Sequence, residues 1–155
     1  MSEMMKNTAQ TVRQLVLQQV QAIPEEWLDI QPPSYNNTLR WNIGHMVYWM
    51  DACMMLGFSN ASAIPETYAA LFNTGTSPAA WTGSPPSKDE LLEQLSLQLN
   101  VLSELAPDRL EEPLAAPLQL GPLTFHRAGE LLGFVAVHEG MHLATCGCMV
   151  KSIQG

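Results

Sequence analysis

Two histidines separated by three residues, in His138-Glu139-Gly140-Met141-His142, sit near the end of a long apolar stretch, and a third lies far upstream in Trp41-Asn42-Ile43-Gly44-His45. Residues four apart on an α-helix differ by about 40° around its axis, so His138 and His142 would project side by side and could chelate one ion. The third ligand must then come from another part of the chain. Zinc, nickel and iron all accept imidazole nitrogen, and a three-histidine site keeps a position open for water or a thiolate, which is the pattern of a catalytic centre.

The competing explanation is that His-x-x-x-His arises by chance and that these are ordinary core histidines satisfied by their neighbours. Left unpaired in a core, each would cost on the order of 1–3 kcal/mol, a cost that a shared metal removes. The His-Glu-x-x-His order also matches zinc peptidases, in which the glutamate is the general base. That reading fails on context: only 13 residues follow His142, and none is His, Asp or Glu, so the downstream third ligand is missing. Glu139 lies about 100° from His138 around a helix, which leaves it as an acceptor for a ligand's ring, an auxiliary base or a surface carboxylate.

The elements that must position these residues are helices. The first is expected over about Ser2 to Ala22, with Val12, Leu15, Val16, Val20 and Ile23 on its apolar face. A proline-containing connection from Ile23 to Asn37, anchored by Trp27 and Leu28, leads to a second helix capped by Asn37 or Thr38 and ending at Gly57. Its apolar residues spread over two stripes, one of which carries Trp41, His45, Tyr48, Trp49 and Ala52, so His45 points inward or into a pocket. Residues 59–86 are rich in Ser, Thr, Pro, Gly and Ala, with a short helix around Tyr68 to Phe72, and are expected to form a lid or a dimer contact. Ser87-Lys88-Asp89-Glu90 has the form of a capping box and opens a third helix with Leu91, Leu92, Leu95, Leu99, Leu102 and Leu105 on its apolar face. Pro107 to Pro122 returns the chain with only weak strand signals. Thr124 is the expected cap of the fourth helix, whose inward positions run from Ala128 through Leu131, Leu132, Val135, His138, His142, Cys146 and Met149 to Ile153. Four helices with two long connections predict an all-α, four-helix bundle with long crossover connections, and 155 residues fit one domain spanning 1–155.

Composition narrows the partners. A net charge of −8, from 15 acidic against 7 basic residues, repels phosphate backbones and anionic lipid surfaces, so neither nucleic acid nor a membrane is an expected partner. The longest apolar run is far below the roughly 20 residues a membrane helix requires, and nothing resembles a secretory signal, so the cytoplasm is the expected compartment. With 46% hydrophobic and 14% charged residues the chain should have apolar surface to share with a second copy. Cys53, Cys146 and Cys148 suit reduced thiols rather than a disulfide framework, and Cys-x-Cys is a poor chelate on a helix. Of the other residues near the site in sequence or on its helix faces, His126 is three turns from His138 and too distant for the same ion, Cys146 is expected to be core, Tyr48 and Trp49 to line a pocket or the core, and Arg127 to be solvated or to meet the far end of an anionic substrate.

Taken together, Thr38-Leu39-Arg40-Trp41-Asn42-Ile43-Gly44-His45 and His138-Glu139-Gly140-Met141-His142, on the second and last helices, resemble the DinB-like superfamily. The resemblance implies a four-helix bundle, often dimeric, with a divalent metal held by His45, His138 and His142. It also implies a thiol-dependent S-transferase acting on small electrophiles, with a low-molecular-weight thiol as cosubstrate and Glu139 at most an auxiliary base. The alternative is a noncatalytic dimeric bundle that binds a metal or small ligand in a stress response. A metal-dependent hydrolase is a third option, although no Gly-x-Ser-x-Gly elbow supports a metal-independent one.

Overall fold

The computed structural model describes residues 1–155. Its long helices are α1 (Ser2–Ala22), α2 (Leu39–Phe58), α4 (Lys88–Glu104) and α5 (Ala128–Gln154), with a short α3 (Thr67–Phe72) between the second and third of these. Local chemistry sets several of their ends. Thr38 accepts a hydrogen bond from the Trp41 backbone N–H at the start of α2, and Ser87 and Glu90 form the reciprocal capping box that opens α4. Caps of this kind stabilise a helix by typically ~1 kcal/mol.

α5 begins differently from expectation. Thr124 lies in a strand, paired with Gln119, and Arg127 occupies the cap position, with Glu130 accepting from its backbone N–H. The chain before it forms an antiparallel hairpin of β1 (Pro113–Leu120) and β2 (Leu123–Arg127), which turns at Gly121 in a left-handed conformation. Prolines at 113 and 117 obscured this hairpin in the sequence. In a two-stranded sheet both strands are edges, so a proline can turn its missing N–H outward without breaking the ladder. The register also shifts between Pro113 and Leu118.

Side-chain contacts give the helix directions. Met5 meets Gly133 and Arg13 meets Glu139, so α1 and α5 run parallel. Lys6 reaches Ser103 while Lys88 reaches Gln21, so α1 and α4 are antiparallel. Arg40 binds the Pro86 carbonyl and Gln98 binds that of Val47, which makes α2 and α4 parallel. Parallel neighbours in sequence order require a long crossover, and residues 59–87 supply it. The segment does so as a buttress: α3 packs on α2, and Trp81 meets Phe72 edge-on at 5.6 Å.

Two apolar clusters fill the bundle. One gathers Val16, Val20, Leu39, Ile43, Phe72, Leu91, Leu95 and Met149; the other gathers Ala9, Met50, Phe58, Leu102, Leu131, Leu132 and Val135. Between them lies a polar layer. Arg13, wholly buried on α1, donates to Glu139 of α5 and to Gln98 of α4, and Gln98 in turn donates to the Val47 carbonyl of α2. Leu15, expected in the core of α1, is 47% exposed. The buried stripe runs instead through Ala9, Arg13, Val16 and Val20, and it turns Arg13 onto Glu139.

Candidate metal centre

α2 and α5 bring the three histidines together. The Nε2 atoms of His45 and His142 each lie 3.2 Å from Nε2 of His138, and ligand atoms of all three lie within 4.8 Å of one another. Three imidazoles around a tetrahedral zinc place their nitrogens roughly 3.3 Å apart, given Zn–N bonds of about 2.0–2.1 Å.

Neighbouring groups decide where the ring protons sit. Nδ1 of His45 lies 2.6 Å from the Phe72 carbonyl, which can only accept, so Nδ1 carries the proton and Nε2 is left with its lone pair. For His142 the argument has one more link. The Asn42 amide nitrogen donates to the Thr38 carbonyl at 2.8 Å, which assigns Oδ1 as the atom facing His142 Nδ1, also at 2.8 Å. His142 Nδ1 must therefore donate, and its Nε2 lone pair points at the same spot. A proton on His138 Nε2 would serve two such lone pairs poorly, whereas one cation can accept from all three rings. His138 Nδ1 is buried with no partner.

Electrostatics favour the neutral, ligating form of each ring. Burial, then repulsion from His142 and His45, pushes His138 down to about 3. Burial, then the nearby His45, pushes His142 down to about 4. Burial also lowers His45, against an opposing contribution from its bond to Phe72. At neutral pH these are uncharged imidazoles, so no proton has to be displaced before a cation binds. The donor set and its tautomers thus fit a divalent metal ion.

Aromatic rings surround the cluster. Trp41 stacks on His45 at 4.5 Å with the planes 17° apart, and is itself held by a bond from its indole N–H to Thr76. Trp49 lies 5.8 Å from His138, and Phe134 stacks on His138 from the other direction at 6.1 Å. Tyr48 meets Trp49 edge-on at 6.4 Å and forms one wall of a cleft of about 290 Å³ between α2 and residues 62–69.

The remaining candidates lie elsewhere. Glu139 is wholly buried and pairs with Arg13 on the face of α5 turned towards α1. Burial pushes its carboxyl up to about 7, outweighing the opposing pull of the Arg13 guanidinium. An auxiliary base needs a path to the substrate's proton, and a carboxylate sealed in that layer has none, so the expectation for Glu139 is corrected. His126 is exposed on β2. Arg127 donates to the Glu111 carbonyl, and Cys146 is core, its thiol pushed up to about 12 by burial. Sequence reasoning missed Asn42 and Phe72, the groups that set the tautomers. Asn42 could have been found, because it precedes His45 by one turn on the same helix; a backbone carbonyl such as that of Phe72 leaves no signature in the sequence.

No helix is long and apolar enough to cross a membrane. Among curated proteins none matches the chain. The family model described as the DinB superfamily matches residues 8–146, a span that includes all three histidines and both helices that carry them. With a bundle of the expected kind and that match over most of its length, the chain belongs to the DinB superfamily.

Proposed function

We propose that His45, His138 and His142 bind one divalent cation through Nε2, and that the protein is a metal-dependent enzyme joining a low-molecular-weight thiol to a small electrophile. The observation that carries this reading is the convergence of three Nε2 atoms, two of them stripped of protons by Phe72 and Asn42. A divalent ion bound there, whether zinc, nickel or iron, supplies thiol activation: it lowers the thiol's pKa and leaves a position open beside the electrophile.

The chain's own residues orient and shield. Phe72 and Asn42 fix two imidazole planes, Trp41 holds His45 by stacking, and Trp49 and Phe134 limit water around His138. In the net reaction the sulfur–carbon bond forms, the bond to the leaving group breaks with its electron pair, and the thiol proton passes to solvent. No general base beside the histidines is required, which agrees with the burial of Glu139. The reading takes the protein to be one cytoplasmic domain that pairs as a homodimer; the exposed Met4, Val137 and Met141 support the pairing.

Elemental mass spectrometry of untagged protein tests the centre. Near-stoichiometric metal that disappears in His45→Ala and His142→Ala is the expected result, followed by thiol-conjugate formation that is lost in His138→Ala. Absence of metal after reloading with zinc, nickel and iron would sink the proposal. Stoichiometric metal without turnover of any electrophile would leave a noncatalytic metal-binding bundle.

A further inference from the structure

In the crossover of residues 59–87 only Tyr68, Leu71 and Phe72 are buried, all of them on the six-residue α3. A helix of that length does not persist by itself, so the segment depends on what holds it to α2. Four α2 side chains do so by hydrogen bonds. Asp51 accepts from the Ser62 hydroxyl and the Ala63 N–H, and Arg40 donates to the Pro86 carbonyl, so both ends are pinned by groups outside the histidine cluster. The middle is held by the cluster and its stacking partner. His45 Nδ1 donates to the Phe72 carbonyl at 2.6 Å, and the Trp41 indole, stacked on the His45 ring, donates to the Thr76 hydroxyl at 2.9 Å. That hydroxyl shares its own proton between the carbonyls of Leu71 and Asn73, which closes the end of α3.

The two nitrogens of His45 therefore face different parts of the molecule. Nδ1 faces the crossover, and Nε2 faces His138 Nε2 at 3.2 Å. A neutral imidazole has one proton to place. On Nδ1 it bonds the crossover to α2; on Nε2 it is donated to His138, and the Nδ1 lone pair then confronts the Phe72 carbonyl with no proton between them. An Nε2 committed to a cation excludes the second arrangement, so ligation and attachment of the crossover favour the same tautomer. By linkage the effect is reciprocal: whatever strengthens one strengthens the other.

We infer that residues 67–81 are a metal-dependent strap, held closely on α2 when the three histidines share a cation and loosened when they do not. This rests on the metal-centre reading above and extends it by giving the site a conformational output. Asp51 and Arg40 pin the ends in both states, so what changes is how often the middle opens locally.

Hydrogen exchange read by mass spectrometry on zinc-loaded and zinc-free protein provides the test, with bound zinc counted by elemental analysis of the same samples. Amides of residues 67–81 should exchange about tenfold more slowly in the zinc-loaded protein, the effect of one hydrogen bond. The hairpin of β1 and β2, which makes no hydrogen bond to His45, His138 or His142, should be unchanged and serves as the control. In the reciprocal measurement, Thr76→Val alters a residue that bonds to none of the three histidines, yet it should weaken zinc binding by about fivefold in chelator competition, with Thr76→Ser restoring it. Equal exchange over 67–81 in protein that has bound zinc, protection that rises equally in the hairpin, or full zinc affinity in Thr76→Val would each overturn the strap while leaving the metal centre standing. Protein that loads none of zinc, nickel and iron would overturn the metal centre and the strap with it.

Discussion

Asn42 governs the protonation of a ring on another helix. Its amide is oriented by the Thr38 carbonyl, its oxygen takes the His142 Nδ1 proton, and Nε2 is left free to ligate. Groups placed in this way are commonly worth 10–100-fold in metal affinity. Asn42→Ala should therefore weaken zinc binding by about that factor with little change in helix content, as read by chelator competition and circular dichroism. Unchanged affinity would mean that the ring is held by packing alone. The three histidines were legible because ligation imposes a spacing on a helix, and spacing is visible in a sequence. Arg13 was not legible: a charge within an amphipathic helix reads as solvated, and only the distant partner Glu139 makes its burial tolerable.

Elements translate such residue-scale constraints into position. α2 passes close beneath α3, and Gly44 is the point of closest approach, where an added Cβ would run into the Phe72 ring. That ring belongs to the residue whose carbonyl receives His45, so helix spacing and ring protonation are linked. Gly44→Ala should cost about 1–3 kcal/mol in urea denaturation by overpacking, and should also weaken metal binding by displacing the Phe72 carbonyl. Destabilisation with full metal affinity would show that the carbonyl can follow the ring without losing its bond. The helices themselves were legible wherever a cap coincided with an apolar period, as at Thr38 and Ser87. The hairpin before α5 was not, because its prolines read as irregular chain and its pairing depends on residues up to fourteen positions apart, Pro113 and Arg127. The expected cap at Thr124 failed for the same reason: β2 continues past it to Arg127, which pairs with Pro113 and itself takes the cap position of α5.

At the scale of the whole molecule, the bundle is two apolar clusters separated by the layer of Arg13, Gln98 and Glu139, with His138 and His142 on the same helix as Glu139. Arg13→Met would strand a buried carboxylate and should cost about 3–5 kcal/mol, whereas Arg13→Met with Glu139→Leu should recover most of it. An equally unstable double variant would show that Arg13 stabilises through its packing or its bond to Gln98. The histidine cluster adds a dependence on pH. In the metal-free protein His138 and His142 titrate near 3 and 4, below the ordinary value of 6.5. Between those limits the unfolded chain takes up protons that the folded one refuses, so stability rises with pH there. It is fully present above about pH 6.5 and is lost as the pH falls through about 4 and then about 3. The comparison to make is metal-free protein against His138→Gln with His142→Gln, because carboxylates, Glu139 included, are common to both. Chemical denaturation from pH 7 to pH 4 should show the two stability curves converging as the pH falls, the unaltered protein losing the more. Parallel curves would mean that the rings are not held neutral by their surroundings, and that any cation they bind must first displace their protons.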